Sequence, residues 1–143
     1  MIKYSLLAFL LFSPLAQADG KAVYENKCAS CHTYYVPVKE LMDNFMQNKN
    51  QTLKLKAPTL NQLNFRLRQM IGDPKGDQEF YKMEVIEFIK DYTLNPDKQK
   101  SVCLPEVIEH FEVMPSMNGK ISQEELEEVS SWIFEYEIPK ETK

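Results

Sequence analysis

Apolar side chains recur along the chain at the three- and four-residue intervals of amphipathic helices, and nowhere with the two-residue period of a strand. Short helices are predicted over Gly20–Ser30 and, as a single turn, over Pro105–Phe111. Four longer helices are predicted from apolar stripes. The stripes are Leu41, Met42, Phe45 and Met46; Leu60, Leu63, Leu67, Met70 and Ile71; Phe80, Met83, Ile86, Ile89 and Tyr92; and Leu126, Val129, Ile133 and Tyr136. The pattern predicts an all-α fold.

Capping residues mark where several of these helices begin. Asp19 stands at an N-cap position, and Ser122 with Glu125 forms a capping box. Pro58 occupies a place where proline opens a helix rather than interrupting one. The segment from Val113 to Lys120 has no period, so an irregular loop is predicted there.

The size and charge of the chain narrow the functions open to it. Its 143 residues suit a single domain, and 17 basic against 21 acidic residues leave no basic patch of the kind that binds nucleic acid. With a pI near 5.3, the chain is expected to meet partners whose contact faces are positive or neutral.

Residues 1–18 have the pattern of a secretory signal peptide. Lys3 provides the positive start, residues 6–12 form an apolar run, and Ala16-Gln17-Ala18 is a small-x-small cleavage site. The run is too short for a membrane span, which needs about 20 apolar residues. We therefore expect residues 1–18 to be removed on export to the periplasm. Residues 19–143 would then form the mature domain, with no membrane span left.

The motif Cys28-Ala29-Ser30-Cys31-His32 carries the chemistry. A Cys-x-x-Cys-His sequence is the signature of c-type haem attachment. Its spacing lets one helical turn present two thiols to two neighbouring vinyl groups, while the next residue lies beneath the iron. One covalently attached haem c is therefore predicted, with thioether bonds to Cys28 and Cys31 and with His32 as an iron ligand.

Three other uses of the close cysteine pair stay open. A zinc site would combine Cys28 and Cys31 with Cys103 and a histidine, but a second pair of close ligands is missing. A thioredoxin-like pair needs a βαβ context, which an all-helical chain lacks. A plain disulfide suits an exported protein, but it would leave the adjacent His32 as a coincidence.

Both ends of the predicted domain resemble the class I cytochromes c. Residues 20–32 look like the N-terminal helix and haem motif of that family. Residues 114–122, followed by an acidic helix start with Trp132 and Tyr136, look like its distal loop and C-terminal helix. The resemblance implies a single-domain class I cytochrome c fold with an enlarged middle segment, in which the terminal helices cross and pack together.

The resemblance also implies the rest of the haem site. Met114, from a Met-Pro pair, would be the sixth iron ligand, with Met117 as the alternative. Pro58 lies in a segment similar to the family's proline segment, and its carbonyl oxygen would accept a hydrogen bond from His32. Both methionines can also be core fillers, and His110 would be the ligand in a bis-histidine site.

The remaining expectations concern the middle of the chain. Cys103 is expected to be a buried thiol rather than an iron ligand, a subunit link or a redox group. Helices near Val38–Asn48 and Asp77–Thr93 are expected to be insertions that serve as a partner surface or a haem lid. Candidate walls of the haem pocket are Tyr34, Tyr35, Phe65 and Trp132.

Three functions fit these expectations. The first is a soluble electron carrier, not an enzyme, that moves single electrons between a donor and an acceptor protein in the periplasm. The alternative is the haem c subunit of a larger periplasmic oxidoreductase complex. The third is a gas-binding haem sensor, against which the Met-Pro loop argues because it supplies a sixth ligand. No feature of the sequence indicates an oligomeric state.

Overall fold

The computed structural model describes residues 18–140, and every regular element in that range is helical. The helices are α1 (Gly20–Lys27), α2 (Val38–Met42), α3 (Leu60–Met70), α4 (Gln78–Leu94), α5 (Pro105–Ile108) and α6 (Gln123–Glu135), with a π-helical turn at Asp43–Gln47 and a 3₁₀ turn at Lys98–Lys100. The all-α prediction is confirmed. None of these helices is long and apolar enough to cross a bilayer. Apart from Ala18, the predicted signal peptide lies outside the described residues.

The first and last helices pack against each other, as the resemblance implied. Gly20 lies at their contact, where an added β-carbon would overlap the Glu128 carbonyl oxygen and lie 2.6 Å from Trp132 Cβ. Only glycine lets the two backbones approach this closely. At the other end of α1, Lys27 Nζ donates to the Lys120 carbonyl oxygen at 2.9 Å. The helix that precedes the Cys-x-x-Cys-His motif is therefore held at both ends.

A main core forms where α3 and α4 pack beside these two helices. Asn64 Nδ2 of α3 donates to the Ile133 carbonyl oxygen at 2.8 Å, which satisfies an acceptor left over at the end of α6. The buried residues of the main core are Val23, Tyr24, Leu60, Leu67, Tyr81, Val85, Ile89, Val129 and Ile133. Three of them belong to α4, so this helix is part of the main core; its use as a partner surface or haem lid stays a prediction.

A separate, smaller cluster joins the segment between the motif and α3 to the segment that follows α4. We call it the minor core; its buried members are Leu41, Phe45, Val107 and Phe111. The first two come from α2 and the π-helical turn that continues it, and the others from α5 and the residues just after it. The middle of the chain thus contributes α3 and α4 to the main core and builds a second core of its own.

Several helix boundaries differ from the prediction, two of them next to the motif. α1 ends at Lys27 rather than Ser30, because the next residues form the tight turn of the motif. α3 begins at Leu60 with Thr59 as its N-cap, so Pro58 lies before the helix instead of opening it. The caps predicted at Asp19 and Ser122 are confirmed.

Candidate functional site

The Cys-x-x-Cys-His motif forms one hydrogen-bonded turn at the end of α1. The Cys28 N–H donates to the Tyr24 carbonyl oxygen at 2.8 Å, which continues the helical pattern. The N–H groups of Cys31 and His32 then both donate to the Cys28 carbonyl oxygen, at 3.1 and 2.9 Å. A single turn therefore carries all three functional side chains.

The two cysteines of the motif are free thiols, so the plain disulfide is not formed. Burial, partly offset by Lys27, raises the pKa of the Cys28 thiol to about 11. Reactive redox cysteines have lowered pKa values, so this thiol does not suit thioredoxin-like exchange. Among residues 18–140, no three His, Cys, Asp or Glu side chains are grouped to hold a metal ion, so Cys103 does not complete a zinc site.

His32 is held in the state that an iron ligand needs. Its Nδ1 atom lies 2.7 Å from the Pro58 carbonyl oxygen. Because a carbonyl oxygen can only accept, Nδ1 carries the proton and Nε2 keeps a free lone pair. Burial lowers the pKa of His32, although the Pro58 bond acts in the opposite direction, and the ring is therefore neutral near pH 7. The predicted contact between His32 and Pro58 is confirmed.

Two backbone contacts hold Pro58 against the motif. The Leu60 N–H donates to the Thr33 carbonyl oxygen at 2.8 Å, and the Asn61 N–H donates to that of Tyr34 at 3.2 Å. The segment before α3 is thus paired with the residues that follow His32. The orientation of the imidazole is set by this pairing rather than by one hydrogen bond alone.

Tyr24 is a site residue that the sequence reasoning did not single out. Its side chain is fully buried in the main core, and its hydroxyl donates to the His32 carbonyl oxygen at 2.7 Å. Its ring centroid lies 5.0 Å from those of both Tyr34 and Trp132. Its position four residues before the first cysteine was the available signal, because that spacing places it one helical turn before the motif.

The candidate haem-pocket walls do not all lie in the same part of the structure. Tyr34 and Trp132 belong to the aromatic cluster around Tyr24, next to the motif. Phe65 does not: its side chain is 54% exposed and it lines a groove on the outer face of α3. The opposite face of α3 packs into the main core, and the role of Phe65 as a haem-pocket wall stays a prediction.

The Met-Pro loop is irregular, as predicted, and is anchored to two helices. The Met117 N–H donates to the Thr93 carbonyl oxygen of α4 at 3.0 Å, and Lys120 is bonded to Lys27 of α1. Gly119 has a positive φ of 74°, which the turn into α6 requires. Met114 and Met117 are both half-buried, and ligation by Met114 stays a prediction.

The two remaining candidate residues lie near the minor core. The His110 ring stacks on Phe45, with centroids 5.8 Å apart, which gives it a packing role. Cys103 is half-buried, and burial raises the pKa of its thiol. It lines the same groove as Phe65, and so the structure does not bring it to the Cys-x-x-Cys-His turn.

Comparison with known proteins extends over most of the chain. Residues 15–133 match the family described as "Cytochrome C oxidase, cbb3-type, subunit III". A protein of Aquifex aeolicus (strain VF5), described only as uncharacterized, is 30% identical over 136 residues, which cover 90% of this chain and 84% of that protein. No solved structure matches the chain.

Proposed function

The chain belongs to the cytochrome c oxidase, cbb3-type, subunit III family of c-type cytochrome domains, and we propose that it is an exported carrier of single electrons with one haem c. Membership makes it a c-type cytochrome that holds haem covalently and exchanges electrons with redox partners. The number of haems, the periplasmic location and the role of a free carrier are the proposal.

The residues at the end of α1 suit covalent haem. The thiols of Cys28 and Cys31 would form the two thioether bonds, and Nε2 of His32 would ligate the iron, with Met114 as the ligand on the other side. Haem supplies an iron centre that changes its oxidation state by one electron. A chain with a single Cys-x-x-Cys-His sequence supports one such centre.

The contact between His32 and the Pro58 carbonyl oxygen is the observation that carries the proposal. It fixes the tautomer of the ring and leaves the unprotonated Nε2 on the side away from the Pro58 acceptor, while burial keeps the ring neutral. Such outer contacts raise the basicity of a ligating histidine and fix its orientation. A ligand that is held in place needs little rearrangement when the charge of the site changes, which suits electron transfer.

Export rests on the pattern of residues 1–18, with Asp19 as the first residue of the mature chain. Mass spectrometry of the purified protein tests this together with haem attachment. We expect the mass of residues 19–143 plus one haem, and loss of stable haem incorporation in Cys28→Ala or Cys31→Ala. A bare polypeptide mass from the wild-type chain, or retention of residues 1–18, would contradict the corresponding part of the proposal.

The ligand opposite His32 can be identified from variants of the Met-Pro loop. Methionine ligation gives ferric class I cytochromes c a weak long-wavelength absorption band. We expect Met114→Ala to remove this band and to lower the midpoint potential, because a thioether ligand raises the potential. Met117→Ala should keep both. The reverse result would assign the ligand to Met117, and a wild type without the band would exclude both methionines.

A second candidate is the haem c subunit of a larger periplasmic oxidoreductase. The family description, which names a subunit of an oxidase, favours it. Purification from the native membrane and soluble fractions distinguishes the two candidate functions. A subunit is recovered with its partner at fixed stoichiometry, whereas a free carrier is recovered alone.

A further inference from the structure

An apolar groove of about 330 Å³ opens between the helical segment 38–47 and the outer face of α3. Ten large apolar side chains are exposed among residues 18–140, and six of them line this groove. The six are Val38, Met42, Met46, Phe65, Leu104 and Ile138. Exposed apolar residues that gather in one concave place mark a binding surface.

The groove is separate from the proposed haem site. Neither the two cysteines of the motif nor His32, Pro58 or Met114 line it. α3 divides the two regions, since Leu60 and Leu67 face the main core while Phe65 and Arg66 face the groove. The groove therefore belongs to the face of α3 that is turned away from the main core.

Arg66 is the single charged residue that lines the groove. Its Nε donates to the Val102 carbonyl oxygen at 2.8 Å, and its Nη1 lies 3.3 Å from Gln69 Oε1, so the guanidinium is held at the wall. Nine of the thirteen lining residues come from segment 33–71, which holds six basic and two acidic residues. The charge in the lining is therefore positive, and it favours an occupant with carboxylates.

The polar groups of the lining favour a helix over an extended peptide. An extended segment would bury backbone groups that need partners, and Asn61 is already bonded to both backbone groups of Val36 and to Thr59. A helix satisfies its own backbone and presents only side chains. The groove walls repeat at helical spacing, because Met42 and Met46 are four residues apart along one segment.

We propose that this groove docks an amphipathic helix of a partner protein, with carboxylates flanking the apolar stripe that enters it. Methionine side chains suit this role because they adapt their shape to an apolar partner. The proposal does not rest on the function proposed for the haem site. The peptide-binding test can therefore support or contradict it whether or not the protein is a free electron carrier.

The test uses the haem-loaded protein and fluorescently labelled synthetic helices of about 15 residues, a length at which isolated helices begin to be stable. One peptide carries leucines at positions i, i+4 and i+7 flanked by glutamates, a second has lysines in place of the glutamates, and a third has serines in place of the leucines. By fluorescence anisotropy, we expect the glutamate–leucine peptide to bind at least about tenfold more tightly than either of the others.

Variants of the groove supply the matched control. Phe65→Ser and Arg66→Glu should each weaken binding of the glutamate–leucine peptide about tenfold. Phe80→Ser should not, because Phe80 is similarly exposed (56% against 54%) but lies on α4, outside the groove. Met42→Ser serves as a further groove variant, with the same expected loss of binding, if Arg66→Glu fails to fold. Far-ultraviolet circular dichroism during heating reports whether the helical fold of each variant is intact.

Several results would overturn the proposal. Equal binding of the acidic and basic peptides would show that Arg66 does not select the occupant. Absence of binding by every peptide would contradict the docking of a helix in this groove. Binding of anionic phospholipid vesicles that Phe65→Ser abolishes, without peptide binding, would assign the surface to lipid. Self-association by sedimentation that Phe65→Ser abolishes would assign it to a second copy of the chain.

Discussion

The main core and the minor core are stabilised in different ways. The main core joins helices from both ends of the chain and has nine buried residues. The minor core has four buried apolar residues and draws on elements of only a few turns. Apolar burial scales with the area removed from water. The main core therefore carries most of the stability, and the Cys-x-x-Cys-His turn is attached to it.

The region of the minor core depends more on polar side chains. Asn44 is buried and accepts the Leu53 N–H at 2.9 Å, while Asn50 donates to the Leu55 carbonyl oxygen at 2.8 Å. These bonds hold a loop in which Lys49, Asn50 and Lys54 have positive φ, a conformation that costs free energy for non-glycine residues. The difference suggests that the minor core can loosen while the haem-binding region stays folded.

Among the changes considered, removal of haem should have the largest effect on the folding of the two cores. We expect the haem-free double variant Cys28→Ala/Cys31→Ala to be largely unfolded or molten in both cores, because a group bound only by the native state stabilises that state. Circular dichroism during heating measures this. A cooperative, native-like melt of the haem-free chain would show instead that the main core folds without haem.

Gly20→Ala should have the next largest effect, and it should act through the main core. The added β-carbon meets the backbone of α6, so we expect the free energy of unfolding of the haem-loaded protein to fall by about 3 kcal/mol. Denaturation with guanidinium, followed by haem absorbance, measures the change. Gly76→Ala is the control: its nearest contact is Asp73 Oδ2 at 3.3 Å, and we expect a change within about 0.5 kcal/mol. Equal effects of the two changes would mean that the close helix contact is unimportant.

Phe45→Ala should destabilise the minor core by roughly 2 kcal/mol, since it empties part of a small core. Native-state hydrogen exchange should show faster exchange in segment 38–47 and in α5, with little change in α1 and α6. The visible spectrum should stay the same. If protection from hydrogen exchange falls as much in α6 as in segment 38–47, the two cores form one cooperative unit and do not differ in stability.

Cys103→Ser should have the smallest effect. We expect the visible spectrum and the midpoint potential to be nearly unchanged, because the thiol lies at the groove and not at the Cys-x-x-Cys-His turn. Stability should fall by no more than about 1 kcal/mol, since the residue is only half-buried. Redox titration of the purified variant, with Cys103→Ala beside it, checks this. A large change in potential would show that Cys103 takes part in the site.

The sequence predicted the parts of the site that depend on short spacing. The Cys-x-x-Cys-His turn, the irregular Met-Pro loop and the cap at Ser122 depend on neighbouring residues, and the structure has them where they were expected. The orientation of Phe65 was not predictable in this way. An apolar residue beside a helix stripe can face either the core or solvent, and only the position of the neighbouring helices decides which.

The amino-acid sequence by itself determined the helical class, the chemistry of the haem motif and the contact from His32 to Pro58, the last through family resemblance. The tertiary structure alone decided that α4 belongs to the main core, that Tyr24 supports the motif and that an apolar groove lies across α3. The physical reason is the distance along the chain between the residues that interact. Helical periods and covalent motifs span a few residues, whereas a core or a groove is made by faces that come from distant parts of the chain and meet only in the folded protein.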